Sequence, residues 1–310
     1  MPMVNTKPAK RNKILIGRTR ADLVFDCFNN IIMTAILLIV VFPILYIVSC
    51  SFSSSVAVAS GRVWFWPVEP TLLAYKMVYE YQTIWRGYLN SIIYTVAGAT
   101  FSTGMTLLAA YPLSRSDFGL RRMYMILFTF TMLFSGGLIP FYLVVLNLGL
   151  INTFWAMIIP WGLSVWNIII TRTFFQQTIS GEILDAAQID GCTDFGFFTY
   201  IALPVSGAII AVNVLFYGVG KWNSYFDALI FVRSAERMPL QIILRRILIL
   251  NSVDKQMTSQ INVTGEAELA RVRELIKYAL IVVSSAPMLC AYPFVQKYFV
   301  KGMMIGSVKG

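Results

Sequence analysis

Four acidic residues and no basic residue lie in one polar stretch, EILDAAQIDGCTDFGFFTYIALP (182–204). The acids are Glu182, Asp185, Asp190 and Asp194, and long apolar runs flank the stretch on both sides. Carboxylates grouped in this way can pair with basic groups of a partner protein, because complementary charges across an interface steer association. The chemistry that this stretch predicts is therefore docking.

A second group of side chains combines rings, an amide and an ammonium. Its members are Lys221, Trp222, Asn223 and Tyr225. Rings with hydrogen-bonding tips suit a sugar, which has apolar ring faces and polar edges, so we predict that these residues line a substrate path. Charge inside a membrane is costly and by default indicates function, although Lys221 and the nearby Asp227 could also snorkel to the surface. The aromatic residues could instead form an interfacial belt, a role better suited to Trp64, Trp66 and Trp85.

The composition places the chain in a membrane. It is 57% hydrophobic and 13% charged, whereas soluble domains are about 25% charged. The formal charge of +10 comes from short basic clusters beside apolar runs, which is typical of membrane-flanking residues rather than of a nucleic-acid-binding protein. We expect no nucleic-acid partner.

Several kinds of reactive site are excluded by residue types. The chain has no histidine, and its four cysteines are far apart with no CxxC, so neither a zinc site nor a disulfide framework is indicated. We predict no metal site and no catalytic residue. No G-x-x-x-x-G-K-[ST] sequence occurs, so the chain has no P-loop for ATP phosphates.

A helix needs roughly 20 apolar residues to cross the hydrocarbon core, and the chain offers six such segments. The predicted spans are 31–48, 90–113, about 123–145, about 153–174, 204 to about 232, and 278–296. The fifth span is interrupted by Lys221 and Asp227. The sequence therefore predicts an all-α, polytopic membrane protein with a six-helix transmembrane domain over residues 31–300.

The Lys/Arg bias of short loops sets the orientation. Basic residues fill the N-terminal tail (1–30), the 114–122 loop and the C-terminal tail (301–310), so we expect all three in the cytoplasm. The 175–204 loop then also faces the cytoplasm. The long 233–274 loop is basic yet falls outside, and long loops cross with less regard to charge. No cleavable signal peptide is indicated at the N-terminus.

The cytoplasmic 175–204 loop is predicted to contain two short helices. EILDAAQI (182–189) forms the first, and Gly191 ends it because glycine tolerates a left-handed backbone. Thr193 or Asp194 can cap the second, in which Phe195, Phe198 and Ile201 recur on one face.

At this point the residues resemble a known family. The pattern D-A-A-x-x-D-G-x(9)-I-x-L-P, from Asp185 to Pro204, is similar to the EAA loop of ABC importer permeases, with Asp185 where the family usually has Glu. The segments AAYPLSR (109–115), WNSYFDALIF (222–231) and YFVKGMMIGSVKG (298–310) resemble the carbohydrate branch, in particular the smaller permease subunit of maltose-type importers. FSGGLIPFYLVVLNLGLINTFWAMIIP (134–160) resembles Gram-positive oligosaccharide permeases.

The resemblance implies a coupling loop that docks into a cytoplasmic ATPase. The matching residues are Glu182, Asp185, Ala186, Ala187, Asp190 and Gly191. Small side chains let two backbones approach closely, and Gly191 permits a sharp turn. An amphipathic helix pair on the membrane surface is the alternative, but its acidic face would be repelled by anionic lipids.

The resemblance also implies a set of partners in the bacterial cytoplasmic membrane. These are a second homologous permease subunit, an ATPase dimer that binds ATP and Mg²⁺, and an extracytoplasmic solute-binding protein that the 233–274 loop reaches. This chain would carry no cofactor and would translocate a sugar or oligosaccharide, including one derived from a polysaccharide, by alternating access. The alternatives are an ABC permease for a non-sugar solute, an ion-coupled secondary transporter, for which we find no internal repeat, and a membrane enzyme.

Overall fold

The structure, a computed structural model, describes residues 19–248 and 266–307. Within these ranges the regular secondary structure is helical and contains no strand. The predicted all-α fold is therefore confirmed. Residues 1–18 of the predicted N-terminal tail, 249–265 of the predicted outer loop and 308–310 of the C-terminal tail lie outside the described residues.

The α-helices follow in chain order, with two 3-10 turns and one π-helical segment between them. They are α1 (Arg20–Ser51), α2 (Ser55–Ala59), α3 (Leu73–Glu80), α4 (Gln82–Ser114), α5 (Arg121–Leu133), α6 (Leu138–Asn147), α7 (Val165–Thr178), α8 (Gly181–Ile189), α9 (Asp194–Phe197), α10 (Leu203–Val205), α11 (Gly207–Trp222), α12 (Tyr225–Phe231), α13 (Leu240–Leu248) and α14 (Glu266–Ser307). The 3-10 turns are Phe154–Met157 and Ala235–Arg237, and the π-helix is Phe198–Ala202.

Helix α1 contains the first predicted span and begins at a capping box. The Thr19 hydroxyl accepts a hydrogen bond from the Asp22 backbone N–H at 3.2 Å, and the Asp22 carboxylate accepts one from the Thr19 N–H at 2.8 Å. This exchange satisfies two N–H groups that a helix start leaves unpaired. The apolar side chains of α1 are mostly exposed, as expected for a helix that faces lipid.

Among the described residues, two helices are long and apolar enough to cross a membrane by themselves, α1 and α4. The number rises to four if each of two bent helix pairs counts as one span. The structure therefore agrees with a membrane protein, while the six-span count stays a prediction. Helix α14 covers the sixth predicted span and extends N-terminally through ELARVREL (268–275), into the end of the predicted outer loop.

The third and fourth predicted spans are broken rather than continuous. Helices α5 and α6 meet at 116°, and Gly137 lies between them with a φ of 85°. The fourth predicted span, 153–174, contains only the 3-10 turn and the start of α7. Its break is centred on Pro160, which has no N–H to donate within a helix, and on Trp161, with a φ of 56°.

The fifth predicted span is also divided. The helical run Asp194–Val205 meets α11 at an angle of 81°, and α11 ends at Trp222 before α12 begins at Tyr225. Helix α11 packs against α4, with α14 and α7 as further neighbours. This packing makes α11 the central helix that connects the acidic loop to the residues of the predicted substrate path.

A polar stripe on α11 holds the broken fourth span in place. The stripe consists of Asn213, Tyr217 and Lys221, which are buried and recur every four residues on one helix face. The Asn213 amide donates to the Thr171 hydroxyl at 2.8 Å. The Tyr217 hydroxyl accepts from the Ser164 N–H at 3.1 Å. Buried polar groups that find partners in this way stabilise a specific packing.

Candidate functional site

The acidic loop folds as two short helices around a glycine, as predicted. Helix α8 ends at Ile189, and Gly191 follows with a φ of 76°. This left-handed conformation is costly for residues with a Cβ, so Gly191 makes the turn possible. The Thr193 hydroxyl then accepts a hydrogen bond from the Gly196 N–H at 3.1 Å and caps α9.

Of the six predicted coupling residues, five are exposed and one is buried. The exposed ones are Glu182, Asp185, Ala186, Asp190 and Gly191. Ala187 is buried in a cluster with Tyr111, Phe175, Phe197 and Phe198. Ala187 thus packs α8 onto the body of the protein, while its neighbour Ala186 faces away from it.

The loop also presents exposed apolar side chains that the acidic pattern did not indicate. Ile189 is 87% exposed, Tyr200 81% and Phe195 70%, whereas Phe198 is 7% exposed. Phe195 and Phe198 are neighbours, with ring centroids 6.5 Å apart, but one ring is exposed and the other is buried in the core. The signal was present in the sequence as aromatic and aliphatic residues within an otherwise polar loop, where exposed apolar groups indicate an interaction surface.

An ion pair joins this loop to the end of α4. The Arg115 guanidinium lies 2.7 Å from the Asp194 carboxylate and also bonds Asp117 and the Tyr111 hydroxyl. Its hydrogen bond with Asp117 raises the pKa of Arg115 above its usual range and lowers the pKa of Asp117. The sequence predicted that the acids of the loop pair with a partner protein, whereas Asp194 pairs with Arg115 within the chain.

Lys221, predicted to lie on the substrate path, points into the protein. Its side chain is 8% exposed, and its ammonium donates to the carbonyl oxygens of Met157, Ile158 and Pro160 at 2.9, 3.3 and 3.1 Å. These carbonyls belong to the break in the fourth predicted span, where regular helical hydrogen bonds end. The lysine supplies the donors that the break requires.

Trp222 and Asn223 lie at one open cleft. The cleft has a volume of about 460 Å³, and none of its lining residues is charged. Its polar lining is Asn223, Gln241, Ser284, Ser285 and Tyr292. Trp222 is 4% exposed and packs edge-on against Tyr88, with ring centroids 5.7 Å apart, so little of its ring faces the opening.

The other two predicted path residues do not line this cleft. The Lys221 ammonium is engaged elsewhere, and Tyr225 is exposed at the start of α12. The cleft instead gains Gln241 from α13 and the two serines and Tyr292 from α14. These residues are distant in sequence, so only the packing of α11 against α14 brings them together.

Reactive groups are not concentrated elsewhere in the described part of the chain. Within residues 19–248 and 266–307, no group of three or more His, Cys, Asp or Glu side chains could hold a metal ion. The cysteines at 27, 50, 192 and 290 are unpaired thiols. The polar loop and the uncharged cleft are therefore the two features that a function must explain.

Comparison with known proteins identifies the family. No protein-family model matches this chain. Protein LplC of Bacillus subtilis (strain 168) is 40% identical over 292 residues, covering 94% of this chain and 97% of LplC. YtcP of the same organism, a polygalacturonan/rhamnogalacturonan transport system permease protein, is 40% identical over 273 residues, covering 88% of this chain and 94% of YtcP.

A solved structure agrees with these relatives. It is a chain from the crystal structure of a bacterial ABC transporter involved in the import of the acidic polysaccharide alginate. The TM-score is 0.84 at 33% identity, and the match covers 91% of this chain and 99% of that chain. The chain is an integral membrane protein and belongs to the permease subunits of carbohydrate-importing ABC transporters, as expected from the resemblance of the 185–204 motif to ABC importer permeases and of three other segments to their carbohydrate branch.

Proposed function

We propose that this chain crosses the bacterial cytoplasmic membrane six times with both termini in the cytoplasm. The proposed transmembrane domain is 31–300, with a cytoplasmic coupling loop at 175–204 and an outer loop at 233–274. In support, α1, α4 and α14 cover the first, second and sixth spans with continuous helix. The break in the fourth span has the polar stripe of α11 as its internal partner, which irregular backbone at membrane depth requires.

The coupling loop docks into a subunit of a cytoplasmic ATPase dimer, which binds ATP and Mg²⁺, while this chain binds neither. The observation that carries this proposal is the exposed surface of α8 and α9, where Ile189 and Phe195 lie beside Asp185 and Asp190. Apolar side chains supply the buried centre of an interface, and acids at its rim select a basic partner. The loop continues into α11, so movement of the loop reaches the cleft directly.

The substrate path passes the cleft beside Trp222 and Asn223. Amide, hydroxyl and phenol groups can bond sugar hydroxyls, and the exposed ring of Tyr292 offers an apolar face to a sugar ring. Tyr225 remains an expected contact further along the path. Lys221 contributes to this path indirectly, because its ammonium holds the main chain of residues 157–160 in place. The second homologous permease subunit closes the open side of the cleft.

The cargo is an oligosaccharide derived from an acidic polysaccharide. YtcP is a permease of a polygalacturonan/rhamnogalacturonan transport system, and the solved transporter acts in the import of alginate. An extracytoplasmic solute-binding protein delivers the cargo to the outer face.

The test uses the complete transporter, reconstituted with its binding protein. Oligogalacturonates or oligoalginates are expected to raise the ATPase rate, while neutral oligosaccharides of equal length raise it less. Stimulation by neutral sugars alone would overturn the acidic class, and stimulation by peptides with sugars inert would overturn the carbohydrate assignment.

A further inference from the structure

A segment between α1 and α3 carries its apolar residues on the outside. In VWFWPVE (63–69), Trp64, Phe65 and Trp66 are 64, 52 and 82% exposed. Val63 beside them is buried in the core cluster that includes Cys50 and Ala57. Three adjacent exposed aromatic side chains on a segment that is itself fixed to the core require an apolar environment outside the chain.

The main chain of this segment is tied to the end of α1 at several points. The Ser49 hydroxyl donates to the Phe65 carbonyl at 2.6 Å, and the Ser53 hydroxyl accepts from the Val68 N–H at 3.0 Å. The Ser54 N–H donates to the Val68 carbonyl at 3.1 Å. The position of the aromatic residues along the axis of α1 is therefore set by hydrogen bonds.

The aromatic residues do not lie at the end of α1 but further back along it, beside a part of α1 predicted to span the membrane. The rings of Phe65 and Phe42 meet edge to face with centroids 5.2 Å apart. Phe42 precedes the last residue of α1, Ser51, by nine residues, about 14 Å along a helix that rises 1.5 Å per residue. The chain thus leaves α1, turns through α2, and returns to the depth of a spanning residue.

The charges of the segment lie on either side of the aromatic residues in sequence and pair with each other. Arg62 and Glu69 form an ion pair at 3.2 Å, and the Ser54 hydroxyl donates to the Glu69 carboxylate at 2.6 Å. These bonds lower the pKa of Glu69. An ion pair next to aromatic side chains is the arrangement expected at a membrane interface, where tryptophan is enriched.

We propose that Trp64, Phe65 and Trp66 insert into the lipid leaflet in which α1 ends and anchor this part of the permease at the headgroup boundary. The occupant of the exposed aromatic surface is lipid, because the surface is level with Phe42, a residue of the first span that is itself partly exposed. The anchor would fix the depth of the end of α1, whose apolar side chains are mostly exposed. A binding protein or a second permease subunit would instead cover these rings with protein.

The experiment measures the surroundings of position 66 in the assembled transporter in vesicles. A transport-competent chain without native cysteines receives Trp66→Cys, labelled with bimane. Ala59→Cys, at an exposed position at the end of α2 just before this segment, is the matched control. Trp64→Cys provides a second position on the exposed aromatic surface in case the first variant does not assemble.

Nitroxide lipids with a shallow label are expected to remove most of the fluorescence at position 66, and aqueous iodide little of it. The control is expected to show the reverse. Quenching of position 66 by iodide and not by lipid would overturn the proposal. Shielding of position 66 from both quenchers would overturn the proposal as well, since a protein partner would then cover the exposed aromatic surface.

Discussion

Arg115 and Asp194, 79 positions apart in the chain, form an ion pair at 2.7 Å that joins the end of α4 to the coupling loop. Arg115 has further partners, because its guanidinium also bonds the Asp117 carboxylate and the Tyr111 hydroxyl. Its side chain is 10% exposed, against 77% for Asp194. The arginine therefore determines how the loop is held, and the aspartate contributes one exposed contact.

The first prediction follows from this asymmetry. Arg115→Gln is expected to reduce oligosaccharide-stimulated ATPase activity strongly. Besides the contact with Asp194, it removes the hydrogen bond to the Tyr111 hydroxyl, and the Tyr111 ring packs against Phe197 and Phe198 of the coupling loop. Asp194→Asn is expected to change the stability by less than about 1 kcal/mol, the usual limit for exposed pairs, and the ATPase rate little. Arg122→Gln, an exposed arginine near the start of α5, is the charge-matched control. Equal effects of Arg115→Gln and Arg122→Gln would contradict this account.

The second prediction concerns acid. The hydrogen bond from Arg115 lowers the pKa of Asp117 in the folded protein. The stabilisation from this pair is therefore fully present above the ordinary Asp pKa of about 3.9 and is lost as the pH falls through the lower folded value. The Tm difference between the wild type and Asp117→Asn should stay constant from pH 8 to about 5 and shrink below about 4. A difference that changes between pH 6 and 8 would mean that another group is responsible.

The third prediction separates a structural role of Lys221 from substrate binding. Lys221→Met keeps the apolar stem and removes three hydrogen bonds to carbonyl oxygens. Each buried acceptor left without a donor costs about 1–3 kcal/mol, so the Tm should fall clearly. Proteolysis should become faster in the 157–164 segment.

Lys76→Met, at an exposed lysine on α3, is the control and should leave the Tm nearly unchanged. The oligosaccharide concentration for half-maximal ATPase stimulation should also be unchanged in Lys221→Met protein that remains folded. An increase in that concentration at an unaltered Tm would show that Lys221 contributes to substrate binding after all.

The fourth prediction uses two glycines of α4. A Cβ at Gly98 would lie 3.1 Å from the Lys221 Cγ, whereas nothing lies within 4 Å of a Cβ at Gly104. Gly104→Ala should stabilise by about 0.5–1 kcal/mol, because alanine is the better helix former. Gly98→Ala should be less stable than Gly104→Ala, since the Lys221 ammonium is fixed and its stem cannot move freely.

A double mutant tests the assigned contact. Lys221→Ala removes the atoms that the new Cβ would meet, so the cost of Gly98→Ala should largely disappear in that background. The measurement is the Tm of the four proteins of the cycle. Additive effects would show that the two residues do not interact.

Hydropathy correctly predicted the first, second and sixth spans, because α1, α4 and α14 run through these apolar segments without a break. The breaks at Gly137 and Pro160 were not predicted, since a window of apolar residues has the same hydropathy whether the helix continues or turns. The stability of the break at Pro160 depends on Lys221, which lies more than 60 residues later. No local pattern contains that information.

The coupling loop was more predictable than the cleft. Gly191 and Thr193 act through their immediate neighbours, so their roles can be recognised from the sequence. The burial of Ala187 and the exposure of Ile189 depend on how α8 lies against Tyr111 and Phe175, which is a tertiary property. The cleft combines residues of three helices, and the sequence pointed to only two of its members, Trp222 and Asn223.

We propose above that the exposed surface of α8 and α9 couples ATP hydrolysis on a partner subunit to oligosaccharide movement. The direct test is ATP-dependent uptake of a labelled acidic oligosaccharide into proteoliposomes, with Ile189→Asp compared with the wild type and with the apolar control Ile189→Val. The wild type and Ile189→Val are expected to accumulate the sugar, while Ile189→Asp is inserted in the membrane but neither retains the ATPase nor accumulates sugar. Undiminished uptake by Ile189→Asp would contradict this proposal.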